Sequence, residues 1–477
     1  MPHDLPTRTA LIWFRRDLRL DDHPALDAAL RAGYAIVPVY VHAPGEEAPW
    51  APGAASRWWL HHALLALDAS LRRLGSGLVV RAGASLETLL SIARECGASA
   101  VYWHRRYEPA VVARDTLIKR ELRAAGLHAE SLNGALLAEP WQIATGQGDP
   151  YRVFTPYWRR LLASLDTVTA VSPPPSLPTP MRMPAGDEVA ALGLLPRIAW
   201  DGGLAQAWTP GEAGAQARLR AFLSDAAADY AHGRDRPDRD GTSRLSAHLH
   251  FGEISPRRAL LEARARGADC EGAAAFIREL GWREFSHHLL HHFPETPQAP
   301  LNPRYEAFPW REDAGDLVAW QRGRTGIPLV DAGMRQLWRT GWMHNRVRMV
   351  VASLLTKNLR IHWLAGARWF WDTLVDADLA NNTQGWQWTA GSGADAAPYF
   401  RVFNPAAQGE RFDPDGCYVR HWLPELARLP SRWLHRPWQA PVAVLDAAGV
   451  DDDSVYRRPI VDLQRSREDA LAAWRTI

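Results

Sequence analysis

From Thr9 to about Glu139, short runs of β-branched and aromatic residues alternate with longer amphipathic stretches. The runs Ala10 to Phe14, Ala35 to Val41, Gly77 to Arg81 and Ala100 to Trp103 predict strands, and Ser56 to Leu74, Leu86 to Cys96 and Val111 to Ala125 predict helices. Such alternation implies an α/β domain with a mostly parallel sheet covered by helices. No strand leads into a Gly-x-Gly-x-x-Gly turn, and Gly75-Ser76-Gly77 precedes a strand, the wrong context for gripping a dinucleotide. Between Val171 and Pro184 six prolines (Pro173, Pro174, Pro175, Pro178, Pro180 and Pro184) make a stiff, extended connector. Beyond it strand signals nearly vanish. Thr209-Pro210-Gly211-Glu212 has the form of a capping box with Pro at the first helical position, and Ser255-Pro256 repeats that start. The expected organisation is an α/β domain over residues 1–140, a linker over 141–205 and an all-helical domain over 206–477.

The 477 residues suffice for two or three domains of roughly 150 residues each. Lys+Arg 55 against Asp+Glu 53 leaves a net charge of +2, so any basic surface must be local. Cys96, Cys270 and Cys417 lie far apart without metal-ligand or redox spacing, which fits a reducing compartment and argues against structural zinc. The N-terminus lacks a basic segment followed by an apolar one, and no apolar run approaches the ~18 residues of a membrane span, so a cytoplasmic protein without membrane contact is expected. Only Lys119 and Lys357 are lysines, which ordinary composition bias explains. Trp is 23 of the aromatics, and the cluster between Trp282 and Trp388 calls for a cause.

Four constellations suit chemistry. Thr242-Ser243-Arg244-Leu245-Ser246 follows Gly241 into a helix, which suits a phosphate or an ordinary capped helix start. Glu279, Trp282 and Arg283 share one helix face, a good site for a planar hydrogen-bonding ligand or a surface ion pair beside a half-buried indole. Asn345, Arg348 and Met349 share a face while Arg346 points about 100° away, so one helix can address two ligands or present solvated arginines. Asp376 and Asp378, followed by Asn381, Asn382 and Trp386-Gln387-Trp388, suit Mg²⁺, acid and base work, or pairing with nearby arginines. No His or third carboxylate lies close, and no metal site is assigned.

Together these strings resemble the photolyase and cryptochrome flavoproteins, most closely the bacterial class I cyclobutane pyrimidine dimer photolyases. The matching pieces are Trp13 to Arg19, Thr242 to Ser246, Glu279 to Phe285, Gly341 to Met349, Asp376 to Trp388 and Asp395 to Arg401, in family order across nearly the whole chain. The resemblance implies an N-terminal Rossmann-like antenna domain and a helical domain holding FAD, active in its reduced form. It assigns Tyr230 and Thr242, Ser243, Arg244, Leu245 and Ser246 to the FAD phosphates and ribose. Arg283, Asn345, Arg348, Asp376 and Asp378 join the cofactor set, with Asn382 facing the flavin N5. Plant cryptochromes typically carry Asp there and animal ones Cys, so Asn382 favours repair. For UV-damaged DNA it assigns Arg234 to the backbone flanking the lesion, and Glu279, Trp282, Asn345, Arg346, Met349 and Trp388 to the flipped-out dimer. Glu279 and Asn382 are the catalytic candidates, Glu279 stabilising the dimer radical anion.

The implied reaction is light-driven electron transfer from excited reduced FAD to the dimer, ring splitting and return of the electron. Trp386, Trp363 and Trp310 match the family's electron-carrying tryptophans. Folate-antenna members usually have Asn-Glu where Ala110-Val111 stands after Tyr107-Glu108, which disfavours methenyltetrahydrofolate and, for a second chromophore, leaves a deazaflavin, another flavin or an empty pocket open. The alternatives are a cryptochrome photoreceptor and a (6-4) photolyase. Trp474, in an amphipathic run close to the end, leaves little room for a sensor's output tail. A monomer without an obligate protein partner is expected.

Overall fold

The computed structural model describes residues 8–267, 270–396 and 400–477. Ala397, Pro398 and Tyr399 of the sixth matching string lie outside them. Strands β1 (Arg8–Phe14), β2 (Tyr34–His42), β3 (Val79–Ala82), β4 (Ala98–His104) and β5 (His128–Leu132) form one parallel sheet in the order β3-β2-β1-β4-β5. Helices α1 (Pro24–Arg31), α2 (Ala54–Arg73), α3 (Ser85–Cys96) and α4 (Pro109–Ala124) alternate with the strands. Helix cover explains why β2 is buried at every residue up to Val41: a parallel strand hidden on both faces reads as a continuous apolar run rather than an alternating one. Leu11, Trp13, Val37, Val39, Val101 and Trp103 form the centre of the core. The strand order reverses between β1 and β4, where loops leaving the carboxyl ends of the strands open a crevice.

Two elements lie outside the sequence expectation. His128-Ala129-Glu130-Ser131-Leu132 is an edge strand too polar to stand out by periodicity. The eight-residue α1 starts at Pro24 and is capped by a histidine, His23 Nδ1 accepting from Leu26 N at 3.0 Å. A third expectation is corrected. Thr209 caps nothing: the helix begins at Glu212, after Gly211 at φ 107°. The Glu212 carboxylate turns away to accept the Leu20 and Asp21 amides at 2.8 and 2.9 Å. Ser255 does cap its helix, Pro256–Arg264, accepting from Arg258 N at 2.9 Å. The proline connector is extended and tied down, since Ile36 donates to the Pro178 carbonyl and Leu177 to that of Leu74.

After β5 the described residues are helical or irregular apart from one bridge, Arg311 with Ile361. The chain separates into two compact units, Met1–Asp225 with Ser243–Pro294, and Ala226–Thr242 with Glu295–Ile477. No helix among the described residues is long and apolar enough to cross a membrane.

Candidate functional site

In the second unit the helix Leu379–Ala390 is started by Asp378, whose carboxylate accepts Asn381 N at 2.9 Å and Asn381 Nδ2 at 2.7 Å. Asp376 is buried and takes the Arg348 guanidinium at 2.9 and 3.1 Å, while Arg348 Nε donates to the Met343 carbonyl at 2.7 Å. The two carboxylates thus have different duties: Asp378 caps a helix and Asp376 neutralises an arginine. One helical turn on, Asn382 Nδ2 donates to the Ala367 carbonyl at 3.0 Å. That bond uses one of the two amide hydrogens and orients the carboxamide, whose Oδ1 is an acceptor.

The helix Asn345–Ser353 separates its arginines as the spacing predicts. Arg348 faces Asp376, whereas Arg346 reaches Asp235 at 2.6 and 3.2 Å and lies 4.4 Å from the centre of the Phe412 ring. Asn345 is exposed and Met349 half-buried. Tyr230 is buried with the Arg234 guanidinium 5.7 Å above its ring. Gly241 must be glycine: a Cβ there would lie 2.7 Å from the Gly233 carbonyl oxygen. Arg244 adopts a left-handed backbone, φ 49°, immediately before Leu245 and the five-residue helix Ser246–His250. The Ser243 carbonyl accepts Arg218 Nε at 2.9 Å.

The tryptophans of this unit form ring contacts. Trp386 is buried against Phe370 (5.0 Å) and Trp320 (6.1 Å), and a Cβ at Gly366 would collide with its indole. The His362 ring touches both Trp363 (5.6 Å) and Trp310 (5.0 Å), a link that sequence reasoning missed. Trp388 is half-buried and donates Nε1–H to the Asp395 carbonyl at 3.1 Å. Its neighbour Gln387 is structural, donating to the Thr296 and Ala299 carbonyls and accepting from Leu301 N.

In the first unit, Glu279, Trp282 and Arg283 share the helix Glu271–His292. Trp282 stacks on Phe154 at 3.6 Å and 8°, which fixes its plane, and Glu279 is half-buried. Arg283 donates to the Ala135 carbonyl at 2.9 Å and pairs with Glu284 at 3.2 Å. Glu284 was not singled out by the sequence; burial pushes its carboxyl up, and it accepts Leu137 N at 2.8 Å.

Two family models match the chain: "DNA photolyase" over residues 10–180 and "FAD binding domain of DNA photolyase" over residues 276–476. A deoxyribodipyrimidine photo-lyase of Agrobacterium fabrum is 46% identical over 99% of both chains. Cryptochrome-2 of Arabidopsis thaliana is 41% identical over 97% of this chain and 78% of that protein. The crystal structure of a bacterial class III photolyase from Agrobacterium tumefaciens has a TM-score of 0.95 at 46% identity, covering 100% of this chain and 99% of the other. The chain belongs to the photolyase/cryptochrome family.

In this photolyase/cryptochrome chain the donor set of the second unit fits a flavin. The edge of an isoalloxazine alternates donors and acceptors, and Arg348, Asp376, Asp378 and the Asn382 carboxamide supply both kinds. Paired with Arg348, Asp376 is poorly disposed to hold a metal.

The family chain has a further crevice in its first unit, lined by Trp13, Arg16, Tyr40, Glu47, Arg106 and His250 among others. Its walls follow the ends of β1, β2 and β4, so the paired arginines Arg15-Arg16 and Arg105-Arg106 just after two strands were the signal that could have located it. Arg106 forks onto Glu47 at 2.7 and 2.8 Å and onto Glu108 at 2.8 Å. Burial would raise Glu47, but Arg106 and Arg16 hold it at about 2. Most of the charge in the crevice is therefore compensated.

Beside the sheet, Asp17, His23 and His104 are buried with ligand-type atoms close together. Proton accounting speaks against a cation site. His23 Nδ1 accepts from Leu26 N and His104 Nε2 from Ala25 N, so each neutral ring carries its proton on the other nitrogen. Those nitrogens, His23 Nε2 and His104 Nδ1, lie 3.3 and 2.9 Å from Asp17 Oδ2, where a metal would need lone pairs. Burial pulls His104 down to about 3. It would raise Asp17, but the adjacent His104 and His23 rings hold that carboxyl well below its usual range.

Proposed function

We propose that this chain is a light-dependent deoxyribodipyrimidine photolyase, a carbon-carbon lyase that repairs cyclobutane pyrimidine dimers in UV-damaged DNA. The observation that carries the reading is Asn382. One of its amide hydrogens is bonded to the Ala367 carbonyl, which orients the carboxamide, and its Oδ1 suits a reduced flavin that presents N5–H. An Asp or Cys there would add charge or a proton source. Bound FAD in its reduced form supplies the light-driven electron donor.

The protein's residues bind and orient. Arg348, Asp376 and Asp378 hold the ring system, and Tyr230 with the segment Thr242 to Ser246 holds phosphates and ribose. Glu279, Asn345, Arg346 and Met349 address the dimer, Arg234 the flanking backbone. Extruding a poorly stacked dimer costs a few kcal/mol, and each indole face returns ~1–3 kcal/mol per base. The rigidly stacked Trp282, with Trp388, suits that task. Trp386, Trp363 and Trp310 carry electrons for photoreduction, with His362 in contact with the last two. We place the second chromophore in the Trp13 and Tyr40 crevice, and the protein in the cytoplasm as a monomer. The three free cysteines support a reducing compartment.

The test uses the FAD-loaded protein, chemically reduced, mixed with a thymine-dimer oligonucleotide and divided between light and dark. Restoration of intact thymines only in the light is expected, with Glu279→Gln and Trp388→Ala each losing most of it. No restoration despite bound reduced FAD overturns the reading. Light-dependent binding of a protein partner would then favour the cryptochrome alternative, to which the 41% identity with Cryptochrome-2 points.

A further inference from the structure

Residues 234–240 read Arg-Asp-Arg-Pro-Asp-Arg-Asp, an alternation of charge that the assigned functions use only at Arg234. In the second unit this segment provides counter-anions. Arg236 meets Asp238 at 2.6 Å and Asp415 at 3.7 Å, and Arg239 lies 4.0 Å from Asp238. Asp235 takes Arg346 side-on, one Oδ1 receiving both Nη2 at 2.6 Å and Nε at 3.2 Å.

The Arg346 guanidinium is held on its face as well, 4.4 Å from the centre of the Phe412 ring, which Arg411 also approaches at 5.0 Å. A carboxylate in one direction and a ring in another leave the fork little rotational freedom. The pair is nevertheless reachable by solvent, with side-chain exposures of 22% for Arg346 and 36% for Asp235. Ion pairs this exposed add little to stability. Their leverage is on what binds next to them: a fixed anion beside a DNA-facing arginine weakens attraction to any passing phosphate equally, and it also sets the direction of the donors.

We propose that Asp235 is a positioning residue for lesion discrimination, holding the Arg346 fork in one orientation while cancelling its charge toward intact duplex. The proposal rests on the reading of Arg346 as a DNA contact. On intact DNA that arginine meets chiefly the phosphate track, from which a compensated charge gains little. A flipped dimer brings groups that a pre-oriented fork can meet without reordering, so selectivity rises as general affinity falls.

The experiment measures dark binding of the FAD-loaded protein to a thymine-dimer duplex and to the same duplex intact, across a series of salt concentrations. Asp235→Asn is expected to raise affinity for intact duplex about fivefold. It should also steepen the salt slope by about one, and lower the ratio of dimer to intact affinity. Asp235→Glu, which keeps the charge, should stay near the native ratio. A purely structural role would weaken both duplexes with no steeper slope, and that result overturns the proposal. Arg346→Gln separates the two levels. If it weakens dimer binding while Asp235→Asn alters neither slope nor ratio, the proposal alone falls. If Arg346→Gln leaves dimer binding unchanged, the reading of Arg346 and the proposal fall together.

Discussion

Asn382 and Gly366 show how much a single position depends on neighbours from another helix. The sequence marks Asn382 as an amide among candidates; that one of its N–H groups bonds the Ala367 carbonyl is a fact of packing. Likewise Asp376 and Asp378 look equivalent two residues apart, and only the fold makes one an arginine partner and the other a helix cap. Gly366 has no sequence signal at all, yet it is the surface on which Trp386 rests. Gly366→Ala forces a methyl group into that indole, and overpacking of this kind costs about 1–3 kcal/mol. Chemical denaturation of the FAD-loaded variant should show a loss in that range. An unchanged midpoint would mean that Trp386 yields freely and is not held in place by this contact.

Helix starts separate the local signals that survive in the structure from those that do not. Ser255-Pro256 needs only its own next turn to work, and it does. Thr209-Pro210-Gly211-Glu212 contains the same letters, but Glu212 finds two backbone donors at Leu20 and Asp21, nearly two hundred residues earlier in the chain, and the box never closes. Ser255→Ala should therefore lower unfolding stability by about 1 kcal/mol. Thr209→Ala should stay within about 0.5 kcal/mol of the native protein. Denaturant midpoints for the two variants test this, and a larger loss at Thr209 would contradict the assigned start. The buried central strands were legible, as was the edge strand β3 with its Val79-Val80 pair; β5 escaped notice because its own polar residues break the pattern.

Acid sensitivity belongs to the chain as a whole. His42, His104, His288 and His362 are all pushed below the usual imidazole range, by burial before any other cause, His104 to about 3 and His288 to about 4. Groups held neutral in the folded state bind protons first when unfolded, so their contribution is complete above the unfolded value near 6.5 and is lost as pH falls. Asp331 opposes them: burial raises it to about 6, so it gains its proton in the folded state and adds stability between that pH and 3.8. Between pH 8 and pH 6 the loss from the histidines leads, because Asp331 is at most half protonated over that interval, so net stability should fall across it. Urea midpoints at pH 8 and pH 6 check this; a midpoint that rises at pH 6 would contradict it. The sequence sufficed for an α/β region followed by helices and for the tryptophan-rich stretch, because periodicity and motif spacing are local properties. Which carboxylate compensates which arginine, which histidine nitrogen carries a proton and where an indole comes to rest depended on chain segments brought together from up to a few hundred residues apart. Those contacts follow from topology and burial, for which no window along the sequence carries a signal.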